Sequence, residues 1–276
     1  MQAREHPATL VILGHPIAHS LSPLFQNAAL IACGLPQRYE PIDVAPAALS
    51  SVLDRLALER AGGNVTIPHK EAVARRARCS PLAQRVGAVN TFWHDEGTLI
   101  GHNTDVAGIV ANIESLRPEG IRGARCALLG AGGSAAAVLV ALQQMGCSEI
   151  RIAARTRARA ADLASRVQVS ANVFTLSEKA VEGATLVINA TPIGMNDESM
   201  PLAPTDLAPG AAVFDLVYRR GETAWVRASR AAGHPACDGL RMLLEQGAAA
   251  FTCWFGIPAP RDAMERALAT AASVPA

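Results

Sequence analysis

Short apolar runs that stop at turn-forming residues recur along the chain, and each predicts a buried β-strand. In the first part of the chain these runs cover residues 9–13, 39–44 and 64–67. Two segments between them, with apolar residues at helical spacing, predict helices over residues 22–33 and 46–58. Because strands and helices alternate, this region is predicted to form a parallel α/β layer.

The rest of the chain continues the alternation. Residues 88–93 and 98–101 flank the tetrapeptide His-Asp-Glu-Gly and predict a β-hairpin. Further buried strands are predicted over residues 126–129, 150–154, 186–189, 212–216 and 236–237. Helices are predicted after residue 105, from residue 133 to about 146, over 223–232 and after 238–239.

The segment from Cys126 to Ala135 has the pattern of a strand, a glycine-rich loop and a helix. Gly130, Gly132 and Ala135 satisfy G-x-G-x-x-A, in which glycines permit a tight turn and a close approach of the backbone to a pyrophosphate. An ordinary glycine-rich turn is the alternative, and the flanking strands favour dinucleotide binding. The residues predicted to contact the cofactor here are Gly130, Ala131, Gly132, Gly133, Ser134 and Ala135.

The strand after this loop delivers Arg155, Thr156 and Arg157 to the place where an NAD site would carry an acid for the ribose hydroxyl. A guanidinium group matches a phosphate instead. The sequence therefore predicts NADP, with these three residues at its extra phosphate. A solvated, arginine-rich helix start is the alternative.

Polar residues also follow the predicted strands of the first part of the chain. Ser20 and Ser22 follow the first strand, where a hydroxyl could face a ligand, although Ser22 could instead cap the next helix. Asn64, Thr66 and Lys70 form a second predicted cluster, because ligands gather at the carboxyl ends of strands in α/β sheets. A solvated surface lysine is the alternative for Lys70.

Asp105 and Gln246 are two further candidates. Asp105 could simply cap the helix that follows it, but a buried aspartate paired with Lys70 would also tune the lysine. Gln246 lies among small and apolar residues, so its amide either bonds to backbone or reaches a ligand. The structural role is favoured for Gln246 from the residues alone.

Composition narrows the function classes. The chain has 276 residues and a net charge of +1, which suits two domains and offers no strong field for nucleic acid. No apolar run approaches a membrane span, so a cytoplasmic protein is expected. The six cysteines lie far apart along the chain, so reduced, buried thiols are expected. Pro16 lies between His15 and His19 and argues against a zinc-binding helix there.

Several separated motifs together resemble the shikimate dehydrogenase family over nearly the whole chain. The motifs are S-L-S-P at residues 20–23, N-V-T-I-P-H-K at 64–70, G-A-V-N-T at 87–91, G-H-N-T-D at 101–105, the glycine loop, and N-A-T-P-I-G-M at 189–195. The resemblance implies an enzyme that reduces 3-dehydroshikimate to shikimate with NADPH, in aromatic amino acid biosynthesis. It also implies a catalytic pair, Lys70 and Asp105.

The resemblance assigns the remaining site residues. Those implied for the substrate are Ser20 and Ser22 at its carboxylate, and Asn64, Thr66, Asn90, Tyr218 and Gln246 at its hydroxyls and ring. Those expected on the nicotinamide side of the cofactor are Thr191, Leu216 and Gly239. The chemistry of ketone reduction agrees with the role implied for Lys70, since a lysine can stabilise the negative charge that develops on the ketone oxygen and supply the proton.

The expected fold class is α/β in two domains. An α/β substrate domain, residues 1–106, is completed by C-terminal helices, residues 238–276. Residues 107–237 form a Rossmann NADP-binding domain, and the cleft lies between the two. The expected partner is a small-molecule substrate, with no nucleic acid, no membrane and no metal, and the protein is expected to be a monomer or homodimer.

The chain departs from the family pattern at four places. Gln26 stands where histidine is usual, Ala154 where asparagine is usual, Arg219-Arg220 where asparagine and proline are usual, and Phe255 where threonine is commoner. These differences leave open the alternative that the protein is a paralogue that acts on quinate or an amino-shikimate. Such a paralogue could also use NAD. A non-catalytic binding protein is a further alternative, against which the intact Lys70 and Asp105 argue.

Overall fold

The structure is a computed structural model that describes residues 6–176, 180–219 and 221–273, the side chains to residue 270. The chain forms two compact units. One comprises residues 1–104 and 246–276, and the other residues 105–245. Each unit contains one β-sheet with helices, and the predicted α/β class is confirmed.

The first unit is built on a six-stranded sheet. Its strands are β1 (Leu10–Gly14), β2 (Tyr39–Asp43), β3 (Gly62–Val65), β4 (Arg78–Cys79), β5 (Thr91–Asp95) and β6 (Thr98–His102), in the order β2-β1-β3-β5-β6-β4. The first three strands pair in parallel, as expected. β5 runs antiparallel to β3 and β6, so the whole sheet is mixed, and the predicted hairpin is confirmed.

The predicted hairpin explains this reversal. Glu96 and Gly97 form its turn with φ values of 46° and 75°, the left-handed backbone that a tight two-residue turn needs. Glycine takes this conformation without strain. The hairpin therefore places one antiparallel strand between β3 and the far edge of the sheet.

The third strand begins two residues earlier than predicted, at Gly62. Gly62 and Gly63 pair with Leu10 and Val11 of β1. A Cβ on Gly63 would lie only 2.0 Å from the backbone oxygen of Val11, so this glycine serves a close approach of two strands and not a turn.

Helices cover the first sheet. They are α1 (Ser22–Ala32), α2 (Leu49–Leu58), α3 (Lys70–Ala74), α4 (Pro81–Val86) and α10 (Arg261–Ser273), with a 3-10 turn (Pro46–Ala48) before α2. A long helix, α9 (Leu240–Phe255), begins in the second unit and ends in the first. α1 packs against α10. The apolar core beneath α2 includes Leu13, Leu53, Leu56 and Phe92.

The second unit is a parallel six-stranded sheet. Its strands are β7 (Arg125–Leu129), β8 (Glu149–Ala154), β9 (Asn172–Thr175), β10 (Leu186–Asn189), β11 (Ala212–Asp215) and β12 (Ala236–Cys237). Its helices are α5 (Asp105–Leu116), α6 (Gly133–Gln144), α7 (Arg157–Arg166) and α8 (Ala224–Ala231).

The strand order in this sheet is β12-β11-β10-β7-β8-β9. The chain thus builds outward from β7 in one direction and returns to build outward from β10 in the other. In open α/β sheets, ligands bind at the carboxyl ends of the strands where the order reverses. The glycine loop that follows β7 lies at this position.

Candidate active site

Ser20 and Ser22 lie at the start of α1. The helix begins at Ser22 itself, and within the described chain no side chain caps it, so the prediction of Ser22 as the N-cap is wrong. The Ser20 hydroxyl accepts the backbone N–H of Ser22 at 3.3 Å, while Ser22 is 2% exposed. The physical reason is that helical geometry already includes Ser22, so the cap position falls on Leu21, whose apolar side chain cannot accept a hydrogen bond.

Asn64 is held in place on the sheet by its neighbours. Its Oδ1 accepts the hydroxyl of Tyr39 at 2.7 Å. Its Nδ2 donates to the backbone oxygen of Asn90 at 3.0 Å and to the Thr91 hydroxyl at 3.1 Å. Burial raises the pKa of Tyr39 well above its ordinary value, so Tyr39 stays a neutral donor to this amide.

Asn90 is the centre of a second set of hydrogen bonds. Its Oδ1 accepts the backbone N–H of Thr104 at 2.7 Å, and its Nδ2 donates to the Thr104 hydroxyl at 2.9 Å. Its Nδ2 also donates to Oε1 of Gln246 at 3.1 Å. Two predicted substrate residues, Asn90 and Gln246, are thereby brought together, and Asn64 joins them through Thr91.

Thr66 and Lys70 flank the short connection between β3 and α3, and both are half-buried. The backbone N–H of Thr66 donates to Leu13 at 2.8 Å, and the backbone oxygen of Lys70 accepts from Val89 at 3.0 Å. These bonds fix the backbone from which the two side chains project. Lys70 is the first residue of α3.

Asp105 is the first residue of α5 in the second unit, and it is 5% exposed. It therefore lies inside the first turn and not at the cap position that the sequence also allowed. A carboxylate in the first turn of a helix is favoured by the helix dipole.

The glycine loop has the geometry that a dinucleotide phosphate requires. Gly130 has a φ of 106°, and a Cβ there would lie 3.0 Å from the backbone of Ala190. No described heavy atom lies within 4 Å of a Cβ built on Gly132 or Gly133, so space remains beside the loop. Among the described residues, α6 has no acidic residue in its first turn and no side-chain cap, which leaves its amino end suited to an anion.

The ribose-side residues follow β8. Thr156 precedes the first residue of α7, Arg157, and the side chains of Arg155, Thr156 and Arg157 are exposed. Ala154 is buried at the end of β8. The two arginines that the sequence predicts at the extra phosphate of NADP are therefore both exposed.

Asn189 and Asp215 organise the loops that follow β10 and β11. Asn189 Nδ2 donates to Asp215 Oδ1 at 2.9 Å, and Asn189 Oδ1 accepts both the backbone N–H and the hydroxyl of Thr191, at 2.9 and 2.6 Å. The backbone N–H of Leu216 donates to the Asn189 oxygen at 2.9 Å. Thr191 and Leu216, both predicted at the cofactor, are thus tied to one asparagine.

Gly239 is needed for a close backbone approach. A Cβ there would lie 2.3 Å from the backbone oxygen of Leu216, and the N–H of Gly239 donates to Val217 at 3.2 Å. Tyr218 follows in the same loop, and burial raises its pKa above the ordinary value. Gly239 therefore lies directly against the segment that carries the predicted residues Leu216 and Tyr218.

The departures from the family pattern have definite surroundings. Gln26 is 1% exposed, and its Nε2 donates to the oxygen of Gly247 at 2.9 Å. Phe255 packs against Phe251, with ring centroids 4.8 Å apart. Arg219 donates to the backbone oxygen of Asp197 at 2.7 Å and pairs with Glu198 at 3.2 Å. Arg220 lies outside the described residues.

Sequence reasoning missed six residues of these networks. They are Tyr39, Thr91, Thr104, Asn189, Asp215 and Thr223. Thr91 and Thr104 occur within the quoted motifs G-A-V-N-T and G-H-N-T-D, and Asp215 ends a predicted strand, so a signal existed for these three. Tyr39 carried no local signal beyond its apolar strand.

Two general properties of the described residues complete the picture. No group of three or more histidine, cysteine, aspartate or glutamate residues among them is arranged to hold a metal ion. Within the same residues, every helix is too short or too polar to cross a lipid bilayer.

Comparison with known proteins places these features in a family. Residues 12–92 match the shikimate dehydrogenase substrate binding domain. Residues 114–195 match the shikimate / quinate 5-dehydrogenase model, and residues 239–269 match the shikimate 5'-dehydrogenase C-terminal domain.

Individual relatives agree over nearly their whole length. The chain is 41% identical to the shikimate dehydrogenase (NADP(+)) of Moorella thermoacetica, over 97% of this chain and 95% of that protein. It is 44% identical to that of Rubrobacter xylanophilus, over 93% and 94%. The crystal structure of shikimate 5-dehydrogenase from Thermus thermophilus in complex with NADP(H) and shikimate superposes with a TM-score of 0.85, at 40% identity, over 95% of this chain and 99% of that one.

Proposed function

The chain belongs to the shikimate dehydrogenase family, and we propose that it catalyses the reversible, NADP-dependent reduction of 3-dehydroshikimate to shikimate. The observation that carries the proposal is the 40% identity, over 95% of the chain, to an enzyme solved with both NADP(H) and shikimate. The reaction belongs to the shikimate pathway, which leads to chorismate and the aromatic amino acids.

The residues present fit a dinucleotide. The open space beside Gly132 and Gly133 and the uncapped amino end of α6 suit a pyrophosphate, and the exposed Arg155 and Arg157 suit the extra phosphate of NADP. When bound, NADPH supplies the hydride that reduces the substrate ketone. Thr191, Leu216 and Gly239 are proposed to line its nicotinamide side.

Lys70 and Asp105 form the proposed catalytic pair. The Lys70 ammonium stabilises negative charge as it develops on the carbonyl oxygen and donates the proton that completes the hydroxyl. Asp105 orients that ammonium and accepts a hydrogen bond from the neighbouring substrate hydroxyl. In the oxidative direction the same lysine takes the proton back.

The substrate is proposed to bind through residues that the first unit holds in position. Ser20 and Ser22 bind its carboxylate, and Asn64, Thr66, Asn90, Tyr218 and Gln246 address its hydroxyls and ring. The amides of Asn64, Asn90 and Gln246 are oriented by the network through Thr91 and Thr104 before any substrate arrives. Such preorganisation lowers the ordering cost of binding.

A second candidate substrate is quinate. The family model that matches residues 114–195 is described as shikimate / quinate 5-dehydrogenase, and Gln26 and Phe255 depart from the usual pattern of shikimate enzymes. Quinate differs from shikimate at the ring carbon that carries the carboxylate, so the choice between them depends on the residues near Ser20 and Ser22.

The remaining assignments complete the proposal. Residues 1–106 with the helices of residues 238–276 form the substrate-binding part, and residues 107–237 form the NADP-binding part. We place the protein in the cytoplasm, as a monomer or a homodimer.

A steady-state assay with two cofactors and two acids tests the function. NADPH absorbance is followed with 3-dehydroshikimate, and then shikimate and quinate are each oxidised with NADP⁺ or NAD⁺. We expect the highest kcat/KM with shikimate and NADP⁺. A strong preference for quinate and NAD⁺ would overturn the main proposal, and no turnover with any pair would point to a binding protein.

A further inference from the structure

Asn189 and Asp215 face each other at the carboxyl ends of two neighbouring strands. They are register partners in the β10–β11 pairing, and both are 0% exposed. The 2.9 Å hydrogen bond between their side chains therefore forms in the interior of the second unit. A buried amide and a buried carboxylate are costly unless their hydrogen-bonding groups are satisfied.

The bonds that satisfy Asn189 lead, apart from the one to Asp215, to the loop after β10. Its Oδ1 holds the backbone N–H and the hydroxyl of Thr191, and its Nδ2 also reaches the backbone oxygen of Ile193 at 3.4 Å. One side chain thus fixes the start of the loop that carries Thr191.

The bonds that satisfy Asp215 lead to the loop after β11. Its Oδ1 accepts the backbone N–H of Val217 at 3.1 Å, and its Oδ2 accepts the hydroxyl of Thr223 at 2.8 Å. The Thr223 oxygen in turn accepts the N–H of Val226 and caps α8. Asp215 thereby connects both ends of the loop that carries Leu216 and Tyr218.

A carboxylate suits this place because three donors converge on it, from Asn189, Val217 and Thr223. Burial raises the pKa of the Asp215 carboxyl, and the three hydrogen bonds counteract that effect. Replacing the carboxylate by an apolar group would leave these buried donors without an acceptor. The network therefore depends on the hydrogen-bonding groups of these particular residues, and an apolar side chain of similar size could not replace them.

We propose that Asn189 and Asp215 are positioning residues that hold the two loops in the arrangement that binds the nicotinamide half of NADP. They act through Thr191 and through the Leu216–Tyr218 segment, and among the described residues the hydrogen bonds of their side chains do not reach the glycine loop or Arg155. The proposal rests on the proposed NADP-dependent function. According to this proposal, the buried hydrogen bonds of Asn189 and Asp215 support the binding of the nicotinamide half of the cofactor.

Two ligands separate this role from general stabilisation. NADP⁺ engages the whole site, whereas 2′-phospho-ADP-ribose lacks the nicotinamide and engages only the glycine loop and the arginines. We expect Asn189→Ala to weaken NADP⁺ binding about tenfold or more, as the loss of charged or buried hydrogen bonds does. The Kd of 2′-phospho-ADP-ribose should change less than about twofold, which is small compared with the change expected for a lost hydrogen bond.

Thr223 provides a matched pair of variants: Thr223→Val preserves the volume of the side chain, and Thr223→Ser preserves its hydroxyl. Thr223→Ser keeps the bonds to Asp215 and Val226 and should bind both ligands as the unchanged protein does. Thr223→Val removes both bonds and should weaken NADP⁺ selectively. Ser229→Ala is the control, because Ser229 is buried in α8 and its hydroxyl has no hydrogen-bond partner among the described residues; neither affinity should change.

Titration calorimetry on the full chain distinguishes the outcomes. A selective loss of NADP⁺ affinity in Asn189→Ala and Thr223→Val supports the proposal. Equal loss of both ligands, or no loss of either, overturns it, and if Asn189→Ala does not fold, the Thr223 pair decides by the same criterion. Failure of the proposed function would appear separately: the wild-type protein would bind NADP⁺ but would oxidise neither shikimate nor quinate.

Discussion

The side-chain amide of Asn90 donates a hydrogen bond to Oε1 of Gln246 at 3.1 Å, joining residues 156 positions apart. Neither residue alone indicates this contact. The sequence predicts that Gln246 either bonds to backbone or reaches a ligand, and the structure adds a bond to another predicted substrate residue. Because Asn90 binds the amide oxygen of Gln246, this bond also sets the direction of the Gln246 amide nitrogen.

This contact predicts the effect of Gln246→Ala. The substitution removes a proposed substrate contact and an acceptor of the Asn90 amide, so the KM for shikimate should rise about tenfold. The Kd of NADP⁺ should stay within error. Gln144→Ala, at an exposed position of α6, is the control, and an unchanged KM for shikimate in Gln246→Ala would contradict the assignment.

Lys70→Ala tests the catalytic role of the lysine. Loss of a general acid that also stabilises the developing charge should lower kcat by roughly a hundredfold to ten-thousandfold. The KM for shikimate should change modestly, because the interaction acts mainly in the transition state. Arg75→Ala removes an exposed cation that follows the same helix and should keep full turnover; unchanged kcat in Lys70→Ala would remove the lysine from the mechanism.

Two glycine substitutions should separate binding from folding. Gly132 has a φ of −91°, and a Cβ there has open space, so Gly132→Ala should leave Tm nearly unchanged while weakening NADP⁺ binding. Gly239→Ala would place a Cβ 2.3 Å from the Leu216 oxygen and should lower Tm markedly. Thermal melts and cofactor titration check both, and a reversed order of Tm would refute the geometry.

Arg155→Ala tests cofactor selection. Loss of a charged hydrogen bond to a phosphate costs about 1.5–3 kcal/mol, so the KM for NADPH should rise roughly ten- to a hundredfold. The KM for NADH should hardly change, since NADH lacks that phosphate. The control is Arg159→Ala, which removes an exposed arginine from the following helix, α7. Equal effects on NADPH and NADH in Arg155→Ala would show that Arg155 does not contact the extra phosphate.

Glu149 predicts a pH dependence of stability. Hydrogen bonds from Arg151 and Arg125, at 2.7 and 2.5 Å, lower its pKa from 4.5 to about 2. A depressed carboxyl pKa stabilises the folded state above the unfolded pKa, and this contribution is lost as pH falls from about 4.5 to about 2. The Tm difference between the unchanged protein and Glu149→Gln should be positive near neutrality and shrink over that range.

The control for this prediction is Glu96→Gln. Glu96 is exposed in the β5–β6 turn, and its substitution should give no comparable pH dependence. Should the Glu149→Gln difference remain constant between neutrality and acid pH, the ion pairs would not account for the stability.

Much of the fold was predictable because its signals are local. The Gly130 loop, the parallel strands of the second unit and the hairpin at Gly97 each depend on residues close in sequence. The starts of α1 and β3 were harder. Ser22 resembles a cap, but the helix already includes it. Gly62-Gly63 resembles a turn, but Gly63 lies directly against the backbone of Val11.

The sequence by itself determined the α/β class, the dinucleotide loop, the basic residues at Arg155 and Arg157, and the family. These follow from spacing and residue type over short stretches. Only the tertiary structure decided that β5 pairs antiparallel with β3, that Asn90 holds Gln246, and that Asn189 and Asp215 join the loops after β10 and β11. The reason is physical: a buried polar group takes whichever partner the fold brings within hydrogen-bond distance, and that partner can be far away in the sequence.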